Sequence, residues 1–125
     1  MRRIFLLILT ALLLTGCAGT RQEPAYRQIT QEEAKEKMDT QETIILDVRE
    51  QEEYDTGHIP GAVLLPVGTI NAETAADVIP ETDDTVLVYC RSGNRSKTAA
   101  QALAELGYTN VFEFGGISTW PYEVE

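Results

Sequence analysis

Residues 85–96 read TVLVYCRSGNRS, and this stretch decides the fold. Its first five residues are β-branched, apolar or aromatic, which is typical of a strand buried on both faces of a parallel sheet. Residues 96–106 then predict a helix, with Ser96 as its N-cap and Gly107 just past its end. Because a strand, a tight loop and a helix follow one another directly, we predict a parallel α/β unit. The helix positions expected to face the sheet are Ala99, Leu103 and Leu106.

Similar elements lie on both sides of this unit in the sequence. Residues 43–48 form another apolar, β-rich run, and residues 111–114 predict a shorter strand after the helix. Weaker patterns predict a helix that opens at the capping box of residues 30–33, a strand at 62–65 and a helix at 72–78. We therefore predict an α/β fold with a small, central, mostly parallel sheet and helices on both faces.

Cys90 directly follows the predicted central strand, and ligands of open α/β sheets bind at the carboxyl ends of strands. Gly93 and Asn94 tolerate the left-handed backbone that a tight loop needs, so successive N–H groups can converge on one anion. These amides, the start of the helix and two arginines favour the thiolate over the thiol. We predict that Cys90 is an exposed nucleophile. The residues predicted to bind its substrate are Arg91, Ser92, Gly93, Asn94 and Arg95.

Charged residues around the loop have supporting roles in this interpretation. Arg91 and Arg95 carry guanidinium groups that match oxyanions, although either could point to solvent or pair with an acid instead. Asp47 and Arg49 lie at a strand end, where we expect them to pair with neighbours and support the loop from behind. Ser96 is expected to support the loop from the start of the helix.

The other candidate functional residues point to structural roles. His58 is the single histidine and lies in a GHIPG turn, where we expect it to hydrogen-bond the backbone. With one histidine and two cysteines, Cys17 and Cys90, the chain has no zinc-type cluster, and we predict no metal and no cofactor. Trp120 and Tyr122 are expected to pack the C-terminal segment onto the domain.

The N-terminus predicts export and a lipid anchor. Residues 1–16 combine a basic start with an apolar run that is typical of a signal peptide, and the run is shorter than the about 20 residues of a membrane-spanning helix. Residues 14–17 read LTGC, which resembles the lipobox of bacterial lipoproteins and implies lipidation of Cys17. Polar residues 17–28 predict a flexible tether to a domain of residues 29–125, held at the membrane outside the cytoplasm.

Length and charge limit the remaining possibilities. A chain of 125 residues allows one globular domain beyond the exported segment. The formal net charge of −10 argues against nucleic acid as a partner, because phosphate backbones repel an acidic surface. An acidic surface of this kind keeps a small domain soluble and by itself indicates no particular partner.

The domain resembles the rhodanese family in four segments that occur in order. These segments are Leu46-Asp47-Val48-Arg49 with Glu53-Tyr54, then GHIPGA at residues 57–62, YCRSGNRS at residues 89–96, and Gly115-Gly116-Ile117 with Trp120. The resemblance implies a rhodanese-like fold and a persulfide formed on Cys90. It also implies a small sulfur-containing anion such as thiosulfate as donor, and cyanide, a thiol or a protein as acceptor.

Two other functions stay open beside sulfur transfer. The cysteine loop also resembles the Cys-x5-Arg loop of phosphatases and arsenate reductases on a related fold. That loop is one residue longer, because a tetrahedral oxyanion needs a wider loop. Only four residues separate Cys90 from Arg95, so the loop favours a sulfur atom over a phosphate. The second alternative is a module that binds or delivers sulfur to a partner without turning it over.

Overall fold

The computed structural model describes residues 25–125, which form a five-stranded sheet in the order β1-β5-β4-β2-β3. All four neighbouring strand pairs are parallel. The strands are β1 (Arg27–Gln28), β2 (Ile44–Asp47), β3 (Val63–Leu64), β4 (Val86–Cys90) and β5 (Val111–Gly116). The helices are α1 (Gln31–Thr40), α2 (Gln51–Thr56), α3 (Ala72–Val78) and α4 (Asn94–Glu105), with 3-10 turns at Val67–Thr69 and Ile117–Thr119. The prediction of a parallel α/β sheet is therefore confirmed.

The central strand β4 divides the core into two layers, because successive strand residues point to opposite faces. Val86, Val88 and Cys90 lie in one buried cluster with residues of α3 and α4, which we call the α4 face. Leu87 and Tyr89 lie in the other cluster with residues of α1, which we call the α1 face. All five β4 residues are buried, as the continuous apolar run predicted, and helices cover both faces.

The start and end of helix α4 differ from the prediction. The N-cap is Gly93, whose φ of 108° lies in the left-handed region, and the helix begins at Asn94. Ser96 is not the cap but a fully buried residue of the first turn. Ala99 and Leu103 face the core as predicted, whereas Leu106 is 39 % exposed because it lies beyond the last helical residue.

The folded domain begins before residue 29, earlier than predicted. Arg27 and Gln28 form β1, which pairs with Phe112 and Glu113 at the edge of β5, so these two residues do not belong to the tether. The predicted signal peptide, the predicted lipidation at Cys17 and the tether as far as residue 24 lie outside the described residues. Within residues 25–125, no helix is long and apolar enough to span a bilayer.

Candidate active site

Cys90 is the last residue of β4 and is covered by the loop that follows it. Its register partner on β5 is Gly116, after an irregularity in pairing between Val88 and Cys90. The residue is only 1 % exposed, so the prediction of an exposed thiol is wrong. Within three residues the chain turns back over the sulfur, and α4 begins at Asn94. This turn buries the Cys90 side chain but leaves it at the carboxyl edge of the sheet.

Polar hydrogens converge on the sulfur of Cys90. The backbone N–H of Gly93 donates to Sγ at 3.0 Å, and the hydroxyl oxygen of Ser96 lies 3.4 Å from Sγ. Burial raises the pKa of the Cys90 thiol, but hydrogen bonds from the Ser96 hydroxyl and from the backbone of Ser96, Gly93 and Ser92 outweigh burial, so the pKa lies below its ordinary value. The site therefore stabilises an anionic sulfur.

The loop can reach this position because β5 ends in two glycines. The peptide between Arg91 and Ser92 packs directly on Gly116, and a Cβ atom there would overlap the Arg91 carbonyl group. The Arg91 carbonyl oxygen also accepts a hydrogen bond of 3.1 Å from the Ser118 backbone N–H. Gly116, the second glycine of the Gly115-Gly116-Ile117 segment, is thus required by the close approach of the cysteine loop.

Arg95 pairs with an acid, which was one of the alternatives left open by the sequence. Its guanidinium group donates to both carboxylate oxygens of Glu53 in α2, at 2.6 and 2.9 Å. This pairing holds the pKa of the Glu53 carboxyl at about 2, below its ordinary value of 4.5. Hydrogen bonding to Glu53 likewise raises the pKa of Arg95, and the nearby Cys90 adds to that rise. The ion pair ties α2 to the start of α4.

Replacing Glu53 by Gln is expected to weaken the fold in a pH-dependent way. Because the pKa of Glu53 is lowered in the folded state, its contribution is fully present above pH 4.5 and is lost as the pH falls towards about 2. Both side chains are about one third exposed, so we expect a loss of only about 1 kcal/mol at pH 7. Denaturant unfolding of both chains between pH 7 and pH 2.5 measures the difference. A difference that does not shrink in acid would contradict this assignment.

The remaining predicted binding residues form the outer rim of the loop. Arg91, Ser92 and Asn94 are exposed, whereas Gly93 is buried. Among residues 25–125 the Arg91 guanidinium group has no ion pair. The one loop cation that can meet an incoming anion without first leaving a carboxylate is therefore Arg91.

Asp47 and Arg49 form a buried ion pair on the α1 face, on the side of the sheet opposite Cys90. Arg49 Nη2 lies 2.7 Å from Asp47 Oδ2, and it also donates to the Gly57 carbonyl at 2.7 Å. The Tyr89 hydroxyl donates to Asp47 at 2.6 Å and accepts from the backbone N–H of Ile59 at 3.0 Å. The pair therefore holds Tyr89, the residue before Cys90, and within residues 25–125 it makes no hydrogen bond to the loop residues themselves.

Burial opposes the effect of Asp47 on the pKa of Arg49 but adds to its effect on the pKa of Tyr89. Burial by itself would lower the pKa of Arg49, but the adjacent Asp47 carboxylate raises it, and the guanidinium group stays cationic. Burial raises the pKa of Tyr89 far above its ordinary value, and the hydrogen bond to Asp47 adds to the rise. The Tyr89 hydroxyl is therefore a permanent donor that anchors the end of β4.

Ser96 and Glu113 form a buried polar contact beside the sulfur. The Ser96 hydroxyl lies 3.0 Å from Glu113 Oε1, which also accepts from the Gly115 backbone N–H at 2.9 Å. Sequence reasoning assigned Ser96 to the loop but missed Glu113, which is 2 % exposed. Its signal was a lone carboxylate in the apolar run of residues 111–114, since a buried charged residue needs dedicated partners.

The residues to which we assigned structural roles behave as predicted where the structure describes them. His58 stacks on Tyr54 with ring centroids 3.9 Å apart, and its Nδ1 lies 3.1 Å from the Tyr54 carbonyl oxygen. Trp120 packs against Phe114 and Tyr122, with centroid distances of 5.5 and 4.9 Å. In the described part of the chain, no group of three or more His, Cys, Asp or Glu side chains could hold a metal ion.

The structure is thus a parallel α/β domain in which a short loop after the central strand closes over a cysteine sulfur, at the edge where open sheets of this class bind their ligands. The family described as the rhodanese-like domain matches residues 30–122. This chain belongs to the rhodanese family. Residues 1–18 separately match the motif described as the prokaryotic membrane lipoprotein lipid attachment site.

Similar proteins include a thiosulfate sulfurtransferase and a putative sulfur carrier. The thiosulfate sulfurtransferase PspE of Escherichia coli is 40 % identical over 72 residues, which are 58 % of this chain and 68 % of that protein. The putative sulfur carrier protein YrkF of Bacillus subtilis is 38 % identical over 100 residues, and the match covers 78 % of this chain. This chain spans about half the length of that relative, with 52 % covered.

Solved structures show the same fold. A rhodanese from E. coli, solved with anions, superimposes with a TM-score of 0.63 at 34 % identity, covering 67 % of this chain and 98 % of that one. A rhodanese-like domain from Anabaena gives a TM-score of 0.71 at 27 % identity, covering 82 % of this chain and 79 % of that one.

Proposed function

We propose that this protein is a thiosulfate sulfurtransferase that takes sulfane sulfur onto Cys90 and passes it to a thiophilic acceptor such as cyanide or a thiol. The observation that carries the proposal is the contact of Sγ with the Gly93 N–H at 3.0 Å, within a four-residue loop. Backbone donors aimed at one sulfur atom stabilise a thiolate and the persulfide that replaces it. The sulfurtransferase relatives and the anions of the E. coli rhodanese support the same chemistry.

The first half of the reaction loads sulfur onto the protein. The Cys90 thiolate attacks the outer sulfur of thiosulfate, a new S–S bond forms, and the bond to the sulfonate sulfur breaks, so sulfite leaves with the electron pair. The exposed guanidinium group of Arg91 attracts the dianionic donor and steadies the departing sulfite. Because the thiol is covered, the rim of the loop must open for the donor to reach Sγ.

The second half of the reaction returns the thiolate. Cyanide or another nucleophile attacks the outer sulfur of the persulfide, and the S–S bond breaks with its electron pair returning to Cys90. Thiocyanate leaves when cyanide is the acceptor. The low pKa of Cys90 assists this step, because a more stable thiolate is a better leaving group.

The experiment that tests the proposal separates it from the two alternatives. Intact mass after incubation with thiosulfate is expected to rise by about 32 Da, the mass of one sulfur atom added to the nucleophile. Added cyanide is then expected to remove this mass over many turnovers. A sulfur gain without turnover favours the carrier function, for which the name of the B. subtilis relative is an argument. Hydrolysis of p-nitrophenyl phosphate without any mass gain would favour a phosphatase.

We further propose that a lipid on Cys17 holds the domain at a membrane outside the cytoplasm. The lipid attachment motif that matches residues 1–18 supports this proposal. Each buried methylene contributes about 0.8 kcal/mol, so acyl chains acting together anchor a protein firmly. Cys17→Ser is therefore expected to prevent lipidation. The protein then either leaves the membrane fraction or remains a precursor that still carries residues 1–16. An unchanged distribution and mass after this substitution would argue against lipidation.

A further inference from the structure

Glu113 is a buried carboxylate beside the nucleophile, and the proposed reaction gives it no task. It lies on β5 in register with Val88 and is 2 % exposed. Its Oε1 accepts from the Gly115 N–H at 2.9 Å and lies 3.0 Å from the Ser96 hydroxyl. A site that stabilises an anionic sulfur has therefore placed a second anionic group two hydrogen bonds away from that sulfur.

The Ser96 hydroxyl has one proton and more than one acceptor for it. Its oxygen lies 3.0 Å from Glu113 Oε1, 3.0 Å from the Gly93 carbonyl, 3.3 Å from the Gly115 carbonyl and 3.4 Å from Cys90 Sγ. A carboxylate is a stronger acceptor than a carbonyl oxygen, because its hydrogen bonds are charge-assisted. The Glu113 carboxylate therefore competes with Sγ for the single Ser96 proton, which limits the hydrogen bond through which Ser96 lowers the pKa of Cys90.

The carboxylate also acts on the sulfur through its charge. A like charge disfavours the ionised form of a neighbouring group, and this effect is strong in a site that is shielded from water. Among residues 25–125, no Lys or Arg makes an ion pair with Glu113 to neutralise it. Lys97 of α4 lines the surface cavity next to Glu113, and the α1 side of that cavity contributes the neutral Gln31.

The other charged groups near Cys90 act from different elements. Arg95 of α4 interacts electrostatically with Cys90 but is held by Glu53 of α2. Arg91 is exposed, and the buried pair of Asp47 and Arg49 lies on the opposite face of the sheet. Glu113 is thus the anionic group that shares a hydrogen-bonding partner with the sulfur.

We propose that Glu113 is a positioning residue that keeps the Cys90 thiolate more basic than the amide cradle alone would make it. It does so by competing for the Ser96 proton and by placing its own negative charge near the sulfur. This inference rests on the proposed function for its purpose, since a more basic thiolate is the stronger nucleophile towards a sulfur donor once it has formed. The backbone donors around Sγ and the Glu113 carboxylate then act on the basicity of Cys90 in opposite directions.

The test is the pH dependence of Cys90 alkylation by iodoacetamide. It uses the full chain in detergent with Cys17→Ser, which leaves Cys90 as the one thiol. Glu113→Gln keeps the shape and the hydrogen-bonding oxygen but removes the charge. The midpoint of the profile is expected to move to lower pH, which makes alkylation on the acidic side of the midpoint roughly tenfold faster. A profile that is unchanged or moves to higher pH would overturn the proposal.

Two further chains separate this effect from a general change of structure. Glu73→Gln, which removes an exposed carboxylate from α3, is expected to leave the profile where it is. In a Ser96→Ala background, Glu113→Gln is expected to have a smaller effect, because the shared hydroxyl is gone. An equal effect in that background would exclude the part assigned to Ser96 and refute the proposal as stated.

A measurement on the native side chains covers the case in which Glu113→Gln does not fold. The carbon-13 resonance of the Glu113 carboxyl is expected to shift at the pH where Cys90 ionises, and Cys90→Ser is expected to abolish that shift. A Glu113 carboxyl resonance that does not shift at the pH where Cys90 ionises would overturn the proposal. Alkylation and this resonance need no sulfur donor, so failure to take up sulfur would refute the proposed function while leaving the role of Glu113 intact.

Discussion

Cys90→Ser is expected to abolish sulfur uptake and turnover. A serine oxygen cannot hold sulfane sulfur as a persulfide and does not ionise near neutral pH, so the mass gain of about 32 Da disappears. Turnover with thiosulfate and cyanide is expected to fall to background, about a thousandfold or more, as for the loss of other covalent nucleophiles. The measurements are intact mass after thiosulfate and the rate of thiocyanate formation.

The control for this experiment is the other cysteine of the chain. Cys17→Ser removes the other cysteine, which lies outside residues 30–122 of the family match, and we expect this variant to retain the mass gain and the turnover. Circular dichroism of both variants establishes that the domain is folded, since a serine fits the space of the buried Cys90. Persistent sulfur uptake by Cys90→Ser would show that the acceptor atom lies elsewhere.

Asp47→Ala is expected to cause the largest loss of stability. Asp47 is fully buried, and its carboxylate binds the Arg49 guanidinium group and the Tyr89 hydroxyl. Removing one partner of a buried ion pair leaves the other charge without compensation, which costs about 3–5 kcal/mol. Urea unfolding at pH 7 measures this loss. Asp47→Ala also removes the hydrogen bond that anchors Tyr89, the residue before Cys90, so we expect sulfur transfer to fall as well.

Two further variants show whether the loss of stability in Asp47→Ala comes from leaving a buried charge unpaired. Asp39→Ala breaks the exposed Lys35–Asp39 pair of α1 and is expected to cost about 0.3–0.5 kcal/mol, because solvent already screens that pair. Asp47→Ala combined with Arg49→Leu is expected to be more stable than Asp47→Ala alone, since no unpaired charge remains. If Asp47→Ala were as mild as Asp39→Ala, the buried pair would not hold the end of β4.

Strands β2 and β4 could be predicted from sequence because burial on both faces leaves a continuous apolar run that few other structures produce. The same reasoning located Cys90 and its loop, since a polar stretch with a glycine follows the strand directly. The lowered pKa of Cys90 was also predictable in direction, because the residues that donate hydrogen bonds to its sulfur follow it closely in the sequence. Local residue types were sufficient for each of these inferences.

The helix cap and the partner of Arg95 could not be predicted in the same way. Serine is a common N-cap residue, but the Ser96 side chain hydrogen-bonds to Glu113 of β5, which is distant in sequence. Gly93 takes the cap position instead. Arg95 lies 42 positions from Glu53 along the chain, and only the approach of α2 to α4 makes them a pair. A guanidinium group suits a carboxylate and a sulfur oxyanion equally well, so residue type could not decide between them.

The sequence by itself determined the class of fold, the position of the cysteine loop and the family, because these depend on periodicity, on the order of elements and on motifs that are local to the chain. Only the tertiary structure decided that the sulfur is covered, that Arg91 makes no ion pair within residues 25–125, and that Glu113 lies one hydroxyl group away from Cys90. The reason is physical: burial and charge pairing depend on which side chains meet across strands and helices, and those meetings depend on packing rather than on neighbours in sequence.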